Sequence, residues 1–395
     1  EIKREALRLT HLCETALAWD AEDVLVPVQQ AAEQVQRTYA RLSSGECAIF
    51  SQEQTVFEDA QQAAAALVFI LAALFLYRTG QLYLERKALS REAQQWHRVQ
   101  AGNTPAEPDG GVEYQGKSYR RNTYIKAILC MGIDRPGSLE ETRTAGFGGQ
   151  ADGIFLVAQD TARDRIKVLV IPRDTMTEIT LTDLSGNELG SSIQHLTLAY
   201  AYGDGREKSC RYMTEAVSRL LGGMSIDGYM AVSMSVLPLA NDKVGGVTVT
   251  IEEPGLKQAD PVFVQGQTVT LRGEQAEKYV RYRDTGRAQS ALVRMERQKT
   301  YIKGFLDAAR NKSRLDDSLI PDLMKEIEPY MVTDMTKDRY LDMALDFLGG
   351  NQDFTDADMV TLPGTAVETV IYDEYHPNQE EIMEIVLDWF YRPRE

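Results

Sequence analysis

The sequence predicts an α/β domain whose sheet is covered by helices on both faces, preceded by an all-α region. Two observations lead to this prediction. From residue 122 onwards, short apolar runs suited to buried strands alternate with helical segments, a pattern typical of a sheet packed between helices. Residues 1–100 contain almost no glycine and repeat apolar residues at spacings of three and four, which indicates helices.

The first hundred residues are predicted to form a helical hairpin or a membrane-proximal region. Apolar residues between Leu25 and Leu42 follow an a/d spacing, so self-association through this region is an expectation. The most apolar segment, Ala63–Tyr77, is shorter than the ~20 residues that cross a membrane. Basic residues follow this segment, which disagrees with an extracytoplasmic C-terminal domain. A membrane span and a core helix of the hairpin therefore both stay open.

Residues 101–121 are predicted to be a linker, because they begin with a run rich in Gly, Pro and polar residues. A second domain is expected over residues 122–395. Its predicted strands include Tyr124–Met131, Gly153–Ala158 and Ile166–Ile171. Its predicted helices include Arg211–Leu221, Gly273–Arg281, Pro321–Met331, Thr336–Leu348 and Gln379–Phe390.

The net charge is distributed unevenly. The chain carries 59 acidic and 43 Lys or Arg residues, for a formal net charge of −16. The segment between Lys278 and Lys303 nevertheless holds eight basic residues and only two acidic ones. A general nucleic-acid binder would present a basic surface overall, so no nucleic-acid partner is expected. One basic segment in an acidic protein instead indicates a cationic site for a compact anion.

Charged residues stand near the ends of predicted strands, where open α/β sheets build their sites. Asp134 comes directly after the first strand, Asp152 stands in the short loop before the second, and Arg173 follows the third. Arginine binds phosphate bidentately through its planar guanidinium, and paired carboxylates can hold a divalent metal. Taken alone, each of these residues also fits a turn cap or a surface ion pair.

Further candidates lie in the basic segment. Tyr279–Arg283 alternates in polarity, so an extended conformation would place Arg281 and Arg283 on one face. Arg294 and Gln298 follow at the start of a predicted helix. Half-buried arginines are costly without an anion, although a solvated basic surface is the plainer interpretation.

Six motifs follow one another between Tyr124 and the C-terminus. They are AILCMGIDR at 127–135, GQAD at 149–152, VIPRDT at 170–175, AYAYG at 199–203, VGGVTV at 244–249, and a set of arginines and Gln298 between Gly273 and Gln298. In this order they resemble the signature of the LytR-CpsA-Psr family. The resemblance implies a three-layer α-β-α domain with a mixed central sheet.

The resemblance also implies a function. A member of this family is expected to be a Mg²⁺-dependent phosphotransferase acting on a polyprenyl-pyrophosphate-linked glycopolymer, such as teichoic acid or capsular polysaccharide. It transfers the glycopolymer to a peptidoglycan hydroxyl and releases polyprenyl phosphate, and a pyrophosphatase side activity is compatible with this chemistry. The isoprenoid tail is expected in an apolar tunnel. The implied location is the bacterial cell envelope, with a membrane anchor and an extracytoplasmic catalytic domain.

The resemblance assigns roles to the candidate residues. Asp134 and Asp152 are expected to bind Mg²⁺ or to activate the acceptor hydroxyl. Together with Arg173 and Arg281 they form the expected catalytic set. The residues expected to bind the pyrophosphate are Arg173, Arg281, Arg283, Arg294 and Gln298.

The sequence departs from the family pattern at four positions. Gln150 stands where an arginine is expected, His195 and Thr197 replace a lysine and an asparagine, and Ala291 replaces an acidic residue. These departures keep a second function open, that of a catalytically weak polyprenyl-pyrophosphate binding or scaffold protein of envelope assembly. A transcriptional regulator is disfavoured, because the sequence shows no helix-turn-helix with a basic recognition helix.

Overall fold

The computed structural model describes residues 111–142, 144–284, 289–349, 354–369 and 372–394. The predicted hairpin of residues 1–100, its apolar segment Ala63–Tyr77 and the expected self-association lie outside the described residues. Within them, no helix combines the length and the apolar character needed to span a bilayer.

The described domain alternates strands and helices. Its strands are β1 Val112–Tyr114, β2 Lys117–Arg121, β3 Ile125–Ile133, β4 Ala151–Asp160, β5 Arg165–Val170, β6 Met176–Thr182, β7 Glu188–His195, β8 Gly228–Ser233, β9 Thr248–Thr250, β10 Thr268–Thr270, β11 Met331–Thr333, β12 Met359–Thr361, β13 Gly364–Glu368, β14 Asp373–Pro377 and β15 Tyr391–Pro393. Its α-helices are α1 Leu198–Ala201, α2 Glu207–Leu220, α3 Leu237–Lys243, α4 Glu274–Arg281, α5 Ser290–Ser313, α6 Leu319–Ile327, α7 Lys337–Gly349 and α8 Gln379–Phe390. The strands and helices predicted above are present, with ends that differ by a few residues.

A six-stranded mixed sheet forms the centre, in the order β11-β8-β3-β4-β5-β12. β8 is parallel to β3 and β12 to β5, whereas the other neighbours are antiparallel. Successive side chains of β3 enter different cores: Leu129 packs with α2 and α8, and Ile128 packs with helices α3 to α7. The predicted three-layer α-β-α architecture with a mixed central sheet is therefore confirmed.

The predicted linker of residues 101–121 is wrong over its second half. Residues 112–121 form β1 and β2, which pair with each other and with β15 in a three-stranded sheet. The side chain of Tyr119 packs against the core shared with α2 and α8, and Arg121 forms an ion pair with Asp227 at 3.1 Å. The Gly- and Pro-rich run that suggested a linker precedes these strands.

The extended conformation considered for Tyr279–Arg283 is also wrong. Helix α4 continues to Arg281, and the chain leaves the helix at Tyr282, where ψ is 134°. Tyr279 and Val280 are buried in the core between the sheet and helices α3 to α7. A helix buries both of these side chains, so the alternating polarity of this segment does not indicate a strand.

Candidate functional site

One edge of the central sheet brings together Asp134, Asp152 and Arg173. β3 ends directly before Asp134, Asp152 is the second residue of β4, and β5 ends shortly before Arg173. Because β4 is antiparallel to both neighbours, its N-terminal end meets the C-terminal ends of β3 and β5. The backbone N–H of Asp134 donates to the carbonyl oxygen of Gln150 at 2.9 Å, across this edge.

Asp152 lies within β4 rather than in the predicted loop before it. Along the β3–β4 ladder, Gly132 pairs with Gly153 while Ile133 pairs with Ala151, so Asp152 has no partner and forms a β-bulge. A bulge breaks the regular alternation of side chains and re-aims one of them. This local irregularity explains why a strand residue supplies a carboxylate to the site.

Two arginines bind the carboxylate of Asp152. Nη1 of Arg173 donates to Oδ1, and Nη1 of Arg294 donates to Oδ2 at 2.8 Å. The side chains of Asp152 and Arg294 are only 4% and 7% exposed. A buried carboxylate between two guanidiniums leaves a local excess of positive charge, which an anion can neutralise.

Further contacts orient Arg173. Its Nη2 donates to Oε1 of Gln150 at 2.7 Å, and its Nε lies 3.3 Å from Oδ1 of Asp174 in an ion pair. The sequence suggested that Gln150 merely removes one phosphate donor. In the structure it accepts a hydrogen bond and fixes the direction of the Arg173 guanidinium.

Helix α5 contributes two buried hydrogen-bond donors to the site. Nη2 of Arg294 and Nε2 of Gln298 make no hydrogen bond within the described part of the chain. Burial lowers the pKa of Arg294; Asp152 opposes this shift, and the neighbouring charge of Arg173 adds to it. An unsatisfied buried donor costs ~1–3 kcal/mol, so both groups are suited to receive oxygen atoms of a ligand.

Arg281 and Arg283 reach different partners. Arg281, at the end of α4, donates to Oδ1 of Asp134 and, at 2.7 Å, to Oε1 of Glu277. Partial burial disfavours its charge, but Glu277 and Asp134 outweigh that effect and raise the pKa of Arg281. Arg283 donates through Nε to Oγ of Ser290 at 2.8 Å. The two arginines are therefore held by different residues.

Asp373 is a residue near the site that the sequence did not reveal. Its Oδ2 lies 3.8 Å from Nη2 of Arg283 and accepts the backbone N–H of Gln289 at 2.9 Å. Its backbone carbonyl contacts Nε2 of His195 at 3.1 Å. Asp373 is distant along the chain from every candidate, so no local spacing could have identified it.

Two further departures from the family pattern, Thr197 and Ala291, also lie next to the site. Thr197 is buried, and its hydroxyl donates to the carbonyl oxygen of Ala151 at 2.9 Å. This bond ties α1 to the start of β4, next to the bulge. Ala291 lines a small pocket together with Asp152, Arg173 and Gln298. An apolar methyl group at that position leaves the neighbouring arginines without a further carboxylate.

An apolar cavity of about 340 Å³ adjoins the polar residues. It lies between the central sheet and helices α3, α5, α6 and α7. Its lining includes Cys130, Gly132, Gly153, Phe155, Val168, Met230, Gln298, Phe305, Met343 and Phe347. Gln298 also lines the small pocket with Asp152 and Arg173, so one side chain borders both spaces.

The predicted metal ligands, Asp134 and Asp152, do not form a metal cage. No group of three or more His, Cys, Asp or Glu side chains suited to a metal occurs among the residues that the structure describes. Both oxygens of Asp152 already accept from arginines. Mg²⁺ commonly binds through one or two carboxylates together with substrate phosphates and water. The two aspartates fit Mg²⁺ only in that manner.

The structure thus joins Asp152, Arg173 and Arg294 in one network that Gln298 borders, and pairs Arg281 with Asp134. Arg283 stands next to this network, beside Ser290 and Asp373. The catalytic, pyrophosphate-binding and metal-binding roles given to these residues stay predictions.

The sequence matches a model described as the LytR_cpsA_psr family over residues 88–387. It is 26% identical over 258 residues to polyisoprenyl-teichoic acid–peptidoglycan teichoic acid transferase TagV of Bacillus subtilis, covering 63% of this chain and 59% of that protein. It is 24% identical over 292 residues to the transferase TagU of Oceanobacillus iheyensis, covering 72% of this chain and 81% of that protein. The match to TagV therefore spans less than two thirds of that relative.

Two solved structures share the fold. One is protein gbs0355 from Streptococcus agalactiae, with a TM-score of 0.51, 21% identity and coverage of 67% of this chain and 86% of that chain. The other is described as TagT bound to LI-WTA, with a TM-score of 0.50, 20% identity and coverage of 68% and 90%. At these identities the likeness shows the fold alone.

Proposed function

The chain belongs to the LytR_cpsA_psr family, and from that premise we propose that it transfers a polyprenyl-pyrophosphate-linked glycopolymer to a peptidoglycan hydroxyl. The names of TagV and TagU specify teichoic acid and peptidoglycan, so a teichoic acid is the first candidate for the glycopolymer. A capsular or other wall polysaccharide is the alternative donor. We propose the bacterial cell envelope as its place of action, with a membrane anchor and an extracytoplasmic catalytic domain.

One observation carries the proposal. Gln298 borders both the pocket of Asp152 and Arg173 and the apolar cavity, and its buried Nε2 and the buried Nη2 of Arg294, one turn earlier on α5, have no partner among the described residues. A ligand that binds both the arginine network and the apolar cavity needs an anionic head and a hydrocarbon tail. A polyprenyl pyrophosphate has this composition, with its phosphates against the donors and its tail in the cavity.

The reaction breaks one P–O bond and forms another. The acceptor hydroxyl attacks the phosphorus that carries the glycan, and the bond to the second phosphate breaks, releasing polyprenyl phosphate. Negative charge develops on the transferred and leaving oxygens, where Arg173, Arg281, Arg283 and Arg294 stabilise it. The arginine forks also hold the two phosphates in one orientation.

Asp134 is the better placed of the two aspartates to take the hydroxyl proton. Its side chain is 40% exposed and has one described arginine contact, to Arg281, whereas Asp152 is buried with an arginine on each oxygen. Asp134 and Asp152 would hold Mg²⁺ alongside the phosphates, and the bound ion would neutralise charge on the phosphate oxygens.

Replacement of single arginines tests this function. With purified protein, a prenyl-pyrophosphate glycan and peptidoglycan, we expect Arg281→Ala and Arg283→Ala each to lower transfer at least ~100-fold, because each removes one fixed cation from the reacting phosphates. The matched control is Arg163→Ala, which truncates a side chain that is 72% exposed and lies in the turn between β4 and β5, at the end of these strands opposite to Asp152 and Arg173. Normal transfer by both site variants, with unchanged thermal unfolding, would contradict the proposal.

A second function, a prenyl-pyrophosphate binding or scaffold protein with weak catalysis, is favoured by one observation. Gln150 accepts from Arg173 where the family pattern has an arginine, so the site has one cation fewer. This function predicts tight binding of the prenyl-pyrophosphate donor by the unmodified protein without multiple turnover when Mg²⁺ and peptidoglycan are supplied. Release of more polyprenyl phosphate than the protein present would exclude it.

A further inference from the structure

Phe147 is an exposed aromatic side chain that the proposed chemistry does not use. It lies in the connection between β3 and β4 and is 72% exposed. Only two residues lie between it and Gln150, so their Cα atoms are at most ~11 Å apart even in an extended chain. Gln150 in turn accepts two hydrogen bonds, one on its backbone carbonyl oxygen from the N–H of Asp134 and one on Oε1 from Nη2 of Arg173. The backbone of Phe147 is therefore within ~11 Å of a residue that contacts both Asp134 and Arg173.

The backbone on either side of Phe147 is fixed. The N–H of Gly146 donates to the carbonyl oxygen of Ala201 at 2.7 Å. On the other side, Gly148 packs against Gly205 so closely that a Cβ on Gly148 would lie 2.7 Å from the Cα of Gly205. An exposed side chain held between two such anchors loses little further freedom when a ligand binds.

The segment that anchors this loop is held by hydrogen bonds. The hydroxyl of Tyr200, which is fully buried, donates to the carbonyl oxygen of Gly205 at 2.7 Å. The N–H of Gly205 donates to Oγ of Ser209 at 2.8 Å. Gly149, with φ of +89°, then brings the chain to Asp134, whose carbonyl oxygen a Cβ at Gly149 would approach to 3.0 Å. The AYAYG motif thus supports the loop that presents Phe147.

We propose that Phe147 is a stacking platform for a pyranose ring of the acceptor glycan; this rests on the function proposed above. One face of such a ring presents C–H groups with partial positive charge, which are attracted to the negative face of an aromatic ring. The loop that carries Phe147 passes directly beside Asp134 at Gly149, and Asp134 is the half-exposed carboxylate to which the proposed function gives the hydroxyl proton. We place the donor's phosphates at the buried donors of α5 and its tail in the cavity, and we assign the exposed ring in the loop beside Asp134 to the sugar whose hydroxyl Asp134 deprotonates.

The experiment measures binding of an uncharged saccharide without catalysis. The probe is the tetramer of N-acetylglucosamine, and its binding is followed by saturation-transfer NMR and by titration of chemical shifts. Phe147→Ala is expected to weaken binding by roughly threefold to tenfold, the effect of one lost aromatic contact. Phe147→Trp is expected to restore it. Leu184→Ala is the matched control, because it also truncates an exposed apolar residue, 74% exposed, in another loop.

Geranylgeranyl pyrophosphate provides the second measurement. Its affinity is expected to be the same in Phe147→Ala and in the unmodified protein, which shows that the variant is folded and that donor binding is separate. The proposal is overturned if the tetramer binds the unmodified protein and Phe147→Ala equally, or if it binds neither. Saccharide binding that depends on Phe147 in a protein without transferase activity would support the platform and contradict the proposed function, so the two claims fail separately.

Discussion

At the scale of single residues, the site is organised around buried hydrogen-bond donors that have no partner among the described residues. Asp152 accepts from Arg173 and Arg294, while Nη2 of Arg294 and Nε2 of Gln298 have no partner within the described residues. The free energy lost by leaving buried donors unpaired is regained when oxygen atoms of a ligand fill their places. The free protein is therefore expected to be less stable than its packing alone would allow.

Gln298→Leu separates stability from binding. Leucine removes the unpartnered amide and keeps a side chain of similar size, so the free energy of unfolding is expected to rise by ~1 kcal/mol or more. The affinity for geranylgeranyl pyrophosphate is expected to fall, because one phosphate donor is lost. Urea unfolding and calorimetric titration measure the two effects. Gln267→Leu, at an exposed position, is the control; a loss of stability in Gln298→Leu would show that its amide is satisfied in the free protein.

At the scale of elements, the β3–β5 strands were predictable, whereas the details that build the site were not. Apolar runs identify buried strands because each must fill a core on both faces. The bulge that turns Asp152 into the site depends on the register between β3 and β4, which no single segment encodes. Likewise, the alternating polarity of Tyr279–Arg283 is compatible with a strand or with the end of a helix. In the structure Tyr279 is buried on helix α4, so the segment is the end of a helix.

The glycine pair of β3 and β4 forms part of the cavity wall, and Gly132→Val tests the role of the cavity. A Cβ at Gly132 would meet the Cγ of Met234 at 3.6 Å, an ordinary contact, and valine suits a strand. Its methyl groups would occupy space that a lipid tail needs, so affinity for geranylgeranyl pyrophosphate is expected to fall by about tenfold. Affinity for inorganic pyrophosphate, measured by calorimetry, is expected to stay the same. Equal losses for both ligands would place the tail elsewhere.

At the scale of the whole molecule, the site depends on contacts between distant parts of the chain. Arg294 on α5 bonds Asp152 on β4 across 142 positions of sequence, and Asp373 near the C-terminus meets Arg283. The order of the motifs indicated that the arginines and aspartates belong to one site. Their pairing could not be predicted, because it follows from the stacking of α4 and α5 on the sheet. The uneven charge distribution also fits this site, because the acidic chain concentrates its cations where an anion is expected.

A crystal structure with bound geranylgeranyl pyrophosphate tests the central claim most directly. We expect electron density for both phosphates within hydrogen-bonding distance of Arg173, Arg294 and Gln298, with Nη2 of Arg294 and Nε2 of Gln298 each donating to a phosphate oxygen. We also expect the hydrocarbon chain in the apolar cavity between the sheet and helices α3, α5, α6 and α7. Phosphates bound away from these arginines, or a cavity that stays closed to the tail, would contradict it.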